Sequence, residues 1–220
     1  MILAIDTSTR WMGIAICSDD AVICEKVWQT QYRHTVELAP AVQSLMHEAG
    51  VSADAFTSLA VAIGPGSFTS LRIGLSFAKG FVLPRKIPLI GIPTLDILAR
   101  MQPPSKNKLL CVLQVGKKNL AAAQYEYQEK QWVCIVEPYL TDAQEIEKMI
   151  DKPTMVAGEM SAEERTTIAR KWKNALLASP ALSVRRPSFL AELGYEQLRN
   201  NTYSENVTLA PIYLQTKSIE

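Results

Sequence analysis

The sequence contains few of the residues from which metal centres and hydrolytic active sites are built. It has only two histidines, His34 and His47, and they are too far apart to form a metal-binding pair separated by one helical turn. The H-E-x-x-H pattern fails after His47 because its second histidine is missing, and no G-x-S-x-G elbow occurs. The sequence therefore argues against a metal centre, and a peptidase is the weakest functional interpretation.

A dominant charge and a long apolar run are also lacking. The 23 basic and 22 acidic residues give a net charge of +1, which argues against a broad surface for nucleic acid or an anionic membrane. The basic clusters Lys171-Trp172-Lys173 and Arg185-Arg186 are interpreted as solvated faces. No run of about 18 uncharged apolar residues predicts a membrane span.

The start of the chain and its cysteines indicate a cytoplasmic protein. No basic leader precedes Asp6, so no secretory signal is expected. No cysteine stands in a C-x-x-C pair, and each lies in an apolar, strand-like run, which predicts buried reduced thiols. The cysteines are Cys17, Cys24, Cys111 and Cys134.

The apolar residues of the sequence follow strand-like spacing in some segments and helix-like spacing in others. In the first half, the pattern predicts strands over 2–6, 11–17, 22–30, 59–63 and 89–92, and helices over 32–50, about 67–83 and 94–101. After the proline-bearing segment 102–108, strands are predicted over 109–115, 120–127, 132–139 and 154–157. Helices are expected from the capping boxes Thr141–Gln144 and Ser161–Glu164, the second running towards Leu177, and over 187–200.

Both halves thus follow the order β-β-β-α-β-α. This order predicts an α/β protein with a two-lobed, actin-like (ribonuclease-H-like) fold and a mixed sheet in each lobe. The segment 102–108 is the best linker, so we expect an N-terminal lobe over 1–104 and a C-terminal lobe over 105–220. The last helix could pack back on the first lobe.

The most unusual stretch is Ile63 to Phe81. Gly64-Pro65-Gly66 predicts a sharp turn after a buried strand, and the helix that follows has three suitable N-caps, Ser67, Thr69 and Ser70. This turn is a weak candidate for an anion site, because neither phosphate-loop pattern is present. The helix has more apolar residues than one stripe needs, so it is either an association surface or buried within its own domain.

A family resemblance rests on three segments. They are Met1-Ile-Leu-Ala-Ile-Asp-Thr-Ser-Thr9, His34-Thr-Val-Glu-Leu38, and Gly-Pro-Gly-Ser-Phe-Thr-Ser-Leu-Arg72 with Gly74 and Ala78-Lys79-Gly80. With these segments the chain resembles the bacterial TsaB (YeaZ) family over about its first hundred residues. It departs from the family pattern at Ser70, where the family usually has glycine, and at Gln114-Val-Gly116.

The resemblance implies a non-catalytic subunit without a cofactor. Its partners would be TsaD, a catalytic paralogue, and the ATPase TsaE, which together transfer a threonylcarbamoyl group to the adenosine next to the anticodon of tRNA. It also implies a homodimer in isolation and contact with tRNA only through the complex. The expected interface residues are His34, Leu38, Val42, Leu45, Leu71, Arg72, Gly74, Leu75, Ala78 and Lys79.

The alternative interpretation is an actin-like nucleotide-binding enzyme, such as a small-molecule kinase or a nucleotidase. Asp6, Thr7 and Ser8 lie at the first hairpin turn, where such enzymes hold phosphate and magnesium. Phosphoryl transfer would also need an acid from the second lobe, but Gln114 and Gly116 occupy the corresponding strand end. A structural Asp6 that caps its own turn is the simpler interpretation.

Overall fold

The computed structural model describes residues 1–31, 33–116, 119–203 and 208–214. The first half of the chain forms β1 (Ile2–Asp6), β2 (Trp11–Cys17), β3 (Val22–Gln29), α1 (His34–Glu48), β4 (Ser58–Gly64), α2 (Phe68–Val82), β5 (Leu89–Pro93) and α3 (Thr94–Arg100). The second half forms β6 (Lys108–Val115), β7 (Asn119–Gln128), β8 (Gln131–Thr141), α4 (Ala143–Met149), β9 (Thr154–Gly158), α5 (Ala162–Ala169), β10 (Ala175–Leu177) and α6 (Pro187–Asn200).

Within the described residues, the strands form two five-stranded sheets with the same topology. The first sheet has the order β3-β2-β1-β4-β5, and the second, read from its β8 edge, has the order β8-β7-β6-β9-β10. In each sheet the first three strands along the chain pair antiparallel and the later strands join parallel. The predicted α/β, actin-like fold with two mixed sheets is therefore confirmed.

Two local predictions in the second half are wrong. The helix expected to run from Ser161 towards Leu177 ends at Ala169, and β10 follows it, so a strand was missed. The cap of α4 is Asp142, whose carboxylate accepts hydrogen bonds from two backbone N–H groups, so Thr141 does not form the predicted capping box. The capping box of Ser161 and Glu164 is present as predicted.

The first sheet is covered on both faces because successive side chains of β1 point to opposite sides. Leu3 and Ile5 pack with the buried residues of α1 and α2. Ile2 and Ala4 pack on the other side with Leu190 of α6. β1 is therefore apolar from Ile2 to Ile5, as expected for a strand buried on both faces, whereas the edge strand β3 has no buried residue.

The start of α6 is attached to the first sheet by Glu25 of β3. The carboxylate of Glu25 accepts a hydrogen bond from the backbone N–H of Ser188 at 2.8 Å and one from Nε of Arg186 at 2.9 Å. Arg185, by contrast, is buried and ion-paired with Glu159. The interpretation as a solvated face is wrong for Arg185, which is buried, whereas Arg186 is exposed as expected.

Contacts divide the chain into two compact units. One contains residues 1–97 and 186–212, and the other contains residues 98–185 and 213–220. Helix α6 thus belongs to the first unit although it follows the second along the chain. The predicted lobe boundary between residues 104 and 105 stays a prediction.

All four cysteines are free thiols. Cys17 and Cys111 are buried, whereas Cys24 and Cys134 are only half-buried, so full burial is confirmed for two of the four. Among the described residues, no helix combines the length and the apolar character needed to cross a membrane.

Helix α2 approaches the end of β1 closely at Gly74. A Cβ atom at Gly74 would lie 2.2 Å from Oγ1 of Thr7, and that hydroxyl donates a hydrogen bond to the carbonyl of Ser70 at 2.8 Å. Gly80, on the same helix, would place a Cβ atom in open space. The absence of a side chain at position 74 therefore serves the packing of the chain on itself.

This difference predicts opposite effects of the same substitution. Gly74→Ala should lower the free energy of unfolding by about 1–3 kcal/mol, because Thr7 must move and lose its hydrogen bond. Gly80→Ala should raise it by up to about 1 kcal/mol through helix propensity. Urea unfolding of both variants measures the two changes, and equal changes of the same sign would contradict the packing role of Gly74.

The buried thiol of Cys17 predicts a second measurable property. Burial, with smaller contributions from the carboxylates of Glu25 and Glu192, raises its pKa from 9.0 to about 12. The thiol should therefore resist iodoacetamide at pH 8.5 in the folded chain and react in urea, as peptide mass spectrometry would show. Equal labelling rates in the two conditions would contradict this prediction.

The same shift gives the direction of a pH effect. The contribution of the neutral thiol to stability is complete below pH 9, and it decreases as pH rises towards 12 because only the unfolded thiol ionises in that range. Cys17→Ala should remove this part of the alkaline loss of stability.

Candidate functional site

The glycine-rich turn between β4 and α2 is held against the turn between β1 and β2. The backbone N–H of Ser67 donates to the carbonyl of Ser8 at 2.7 Å, and a Cβ atom at Gly66 would lie 2.4 Å from that oxygen. Ser67 also caps α2, as predicted, by accepting a hydrogen bond from the backbone of Ser70 at 3.5 Å. The glycine is thus required for close approach of two backbone segments.

Thr94, the first residue of α3, connects the same two turns. Its hydroxyl accepts a hydrogen bond from the backbone N–H of Gly64 at 3.1 Å and lies 2.9 Å from the hydroxyl of Ser8. Thr94 and Ser8 are both fully buried. Because buried hydroxyls are costly without partners, this pairing fixes the start of α3 beside the turn.

His34, the first residue of α1, is buried and joins this arrangement from the other side. Its Nε2 lies 2.8 Å from the carbonyl of Thr9, and because a carbonyl only accepts, Nε2 is the donor. Its Nδ1 lies 3.5 Å from the hydroxyl of Ser70, which is 2.9 Å from Oγ of Ser67. The serine that replaces the family's usual glycine thus links α1 to α2. We call Thr7, Ser8, Thr9, His34, Ser70 and Thr94 the polar hub.

The residues considered for nucleotide binding lie in or beside the polar hub. Oδ1 of Asp6 accepts a hydrogen bond from the backbone of Ser8 at 2.8 Å, so Asp6 caps its own turn as the structural interpretation expected. The hydroxyls of Thr7 and Ser8 are bonded within the first unit, and both residues have no exposed surface. A role of these three residues in nucleotide binding stays a prediction.

Above the polar hub, α1 and α2 enclose an open groove of about 470 Å³. Phe68 is 52% exposed, and the guanidinium of Arg72 lies 3.8 Å from the centre of its ring. The lining residues are Thr35, Leu38 and Ala39 of α1, and Phe68, Thr69, Arg72, Ile73, Ser76 and Phe77 of α2. The groove is thus largely apolar, with one cation at its side.

The structure brings the predicted interface residues together on these two helices, but it buries most of them. Only Arg72 and Lys79 of the ten reach the surface. The buried residues form the floor of the helix pair against the sheet or its turns: His34, Leu38, Val42, Leu45, Leu71, Gly74, Leu75 and Ala78. Their role at an interface stays a prediction. Because most of them are buried, they would contribute to an interface by holding the two helices in place and not by contacting a partner.

The interpretation of α2 as a helix buried in its own domain holds for one face, and its interpretation as an association surface stays a prediction. One stripe packs in the core, and the surplus apolar residues Phe68, Ile73 and Phe77 line the groove. This surplus includes Phe68, which is not among the ten expected interface residues. The helical period does not predict the exposure of Phe68, because this residue stands three positions before Leu71 and seven before Leu75, on the same side of the helix as these core positions.

The inventory of chemical groups is small. Among the described residues, no group of three or more His, Cys, Asp and Glu side chains could hold a metal ion. His47 is exposed at the end of α1, as expected. The arrangement is suited to binding, since the groove offers apolar surface and the hydrogen-bonding groups of the polar hub engage one another.

Comparison with known proteins gives a family match over most of the chain. Residues 28–193 match the family model described as TsaD: tRNA N6-adenosine threonylcarbamoyltransferase. The tRNA threonylcarbamoyladenosine biosynthesis protein TsaB of Bacillus subtilis is 29% identical, with all of this chain and 96% of that protein covered. TsaB of Escherichia coli is 36% identical over 45% of this chain and 42% of that protein.

The fold has a solved counterpart. The structure of YeaZ from Pseudomonas aeruginosa has a TM-score of 0.78 at 20% identity, covering 97% of this chain and 99% of that one. At this level of identity the likeness concerns the fold alone. Taken with the family match and the full-length similarity to Bacillus subtilis TsaB, it shows that the chain belongs to the family that the TsaD model describes and, within it, to the TsaB (YeaZ) family.

Proposed function

We propose that this protein is a non-catalytic subunit in the formation of threonylcarbamoyladenosine in tRNA. It would bind a TsaD-type catalytic subunit through the α1–α2 groove, and TsaE would join through that complex. The names of the relatives, which specify tRNA threonylcarbamoyladenosine biosynthesis, support the pathway. A role in tRNA modification fits the cytoplasmic location expected from the sequence.

The groove is the observation that carries this proposal. An exposed aromatic residue such as Phe68 leaves apolar surface in water, and covering it gains about 25 cal/mol per Å². Aromatic residues and arginine are also the side chains that most often dominate binding energy at interfaces, and here Arg72 stacks on Phe68. Since α1 and α2 are fixed on the sheet, a partner would meet a surface that needs little reordering.

The chemistry of the polar hub supports a non-catalytic role. Both ring nitrogens of His34 face partners within the unit, so the imidazole is not presented to a metal ion or a substrate. The hydroxyls of Thr7 and Ser8, which the rival nucleotide-binding interpretation requires, are bonded and fully buried. These groups therefore serve the packing of α1, α2 and α3 around the turn.

A second copy of the chain would occupy the same surface in the absence of the catalytic subunit. Dimers of identical chains usually use one patch on both subunits, and a groove between two helices can accept the equivalent helices of another copy. The homodimer and the heterodimer would then exclude each other. This competition distinguishes one shared surface from two separate ones.

Phe68→Glu tests the groove directly. It places a charge on the apolar wall, so binding to the TsaD-type subunit should weaken by at least about tenfold, as expected for a central aromatic residue. Self-association should weaken as well. Isothermal titration calorimetry measures the first effect, and sedimentation equilibrium measures the second.

Leu83→Glu is the matched control. Leu83 is 55% exposed at the end of α2 and does not line the groove. It should leave both associations unchanged, and both variants should stay within about 0.5 kcal/mol of the parent in stability, as is usual for surface substitutions. Equal binding by Phe68→Glu and the parent chain would overturn the proposed surface.

A further inference from the structure

The register of the second sheet brings three distant chain segments to one edge. Lys108 at the start of β6 is paired with Thr154 at the start of β9, and Thr154 is paired with Ala175 at the start of β10. The three strands are parallel, so their amino ends lie side by side. With about 4.8 Å between neighbouring strands, these ends span roughly 10 Å.

The residues at or before these three strand starts include six cations. Asp151 lies among them, and Lys108 pairs with Glu126 at 3.2 Å, so cations outnumber the acidic residues. All of the cations are exposed except Lys171, which is half-buried. We call this set the basic edge: Lys106, Lys108, Lys152, Arg170, Lys171 and Lys173.

Trp172 lies in the middle of the segment that leads to β10. It is 73% exposed, and Nζ of Lys173 lies 5.1 Å from the centre of its ring. An indole ring left in water loses the burial that usually stabilises it. The residues on either side, Lys171 and Lys173, are cations. A ligand that combines negative charge with a flat apolar surface would therefore fit this site.

The chain holds this segment in place. The backbone of Asn174 accepts a hydrogen bond from Thr154 at 2.8 Å, and its side-chain amide donates to the carbonyl of Asp151 at 2.8 Å. A hollow of about 470 Å³ lies at the starts of β6 and β9, lined in part by Lys106, Lys108 and Lys152. The hydrogen bonds of Asn174 therefore hold the segment before β10 against the start of β9, and Lys152, just before that strand, lines this hollow.

We propose that the basic edge binds a single-stranded segment of RNA, with one base stacked on Trp172 and the phosphates bound by the surrounding lysines and arginine. Aromatic rings that project from a cationic groove are the usual way in which proteins bind unpaired nucleic acid. An anionic membrane is the rival ligand, but a membrane anchor would present further apolar side chains where Trp172 has cations on both sides. RNA contact is direct here, unlike the indirect contact implied by the family resemblance.

Fluorescence anisotropy of the full chain with a labelled 12-nucleotide RNA and with an unmodified tRNA transcript tests this surface. Trp172→Ala should weaken binding about tenfold, and Trp172→Phe should restore most of it, because the stacking face is kept. The plot of the logarithm of the RNA association constant against the logarithm of the salt concentration has a negative slope. The double variant Lys106→Ala/Lys152→Ala should make that slope less steep by about 1.4.

Lys26→Ala/Lys86→Ala removes the same charge from exposed positions of the first unit and should leave affinity and slope unchanged. Trp172→Ala should also leave groove binding to a TsaD-type subunit unchanged, so failure of one proposal is separable from failure of the other. RNA affinity that is absent at 50 mM salt or insensitive to Trp172→Ala would overturn the proposal. Trp172-dependent binding to phosphatidylserine vesicles without binding to RNA would overturn it as well.

Discussion

The first unit depends on the close contact between Thr7 and the backbone of α2. Because Gly74 has no side chain, the hydroxyl of Thr7 reaches the carbonyl of Ser70 and holds the helix over the end of β1. His34 then attaches α1 to the same turn through Thr9. These buried hydrogen bonds position both helices, so the groove between them exists only because the polar hub is fully engaged.

The polar hub also explains why a sequence rich in hydroxyls beside a glycine turn is a poor guide to chemistry here. In the sequence, Asp6, Thr7 and Ser8 resemble the residues of a phosphate-binding turn. In the folded unit they are desolvated, and burying them without partners would cost several kcal/mol in total, at about 1–3 kcal/mol for each group. Their hydrogen-bonding capacity is therefore used to join β1, α2 and α3.

The two units have one topology and present different surfaces. In the first, the helix pair on one face of the sheet exposes an apolar groove beside Arg72. In the second, the amino ends of three parallel strands bring cations from three separate segments to one edge of the sheet, and Trp172 lies in the segment before β10. Under the two proposals, the shared fold would bind a protein with one unit and RNA with the other, and neither surface depends on a catalytic group.

The sequence alone determined the α/β class, the mixed sheets and most element positions, because the alternation of apolar residues and the caps at Ser67 and Ser161 are local signals. It also indicated that α2 is too apolar for one stripe. Only the tertiary structure decided that Gly74 faces Thr7 while Phe68 faces solvent, and that Lys106, Lys152 and Trp172 share an edge. Those outcomes depend on which strands pair and in what register, and pairing between distant segments leaves no mark in the local pattern of either one.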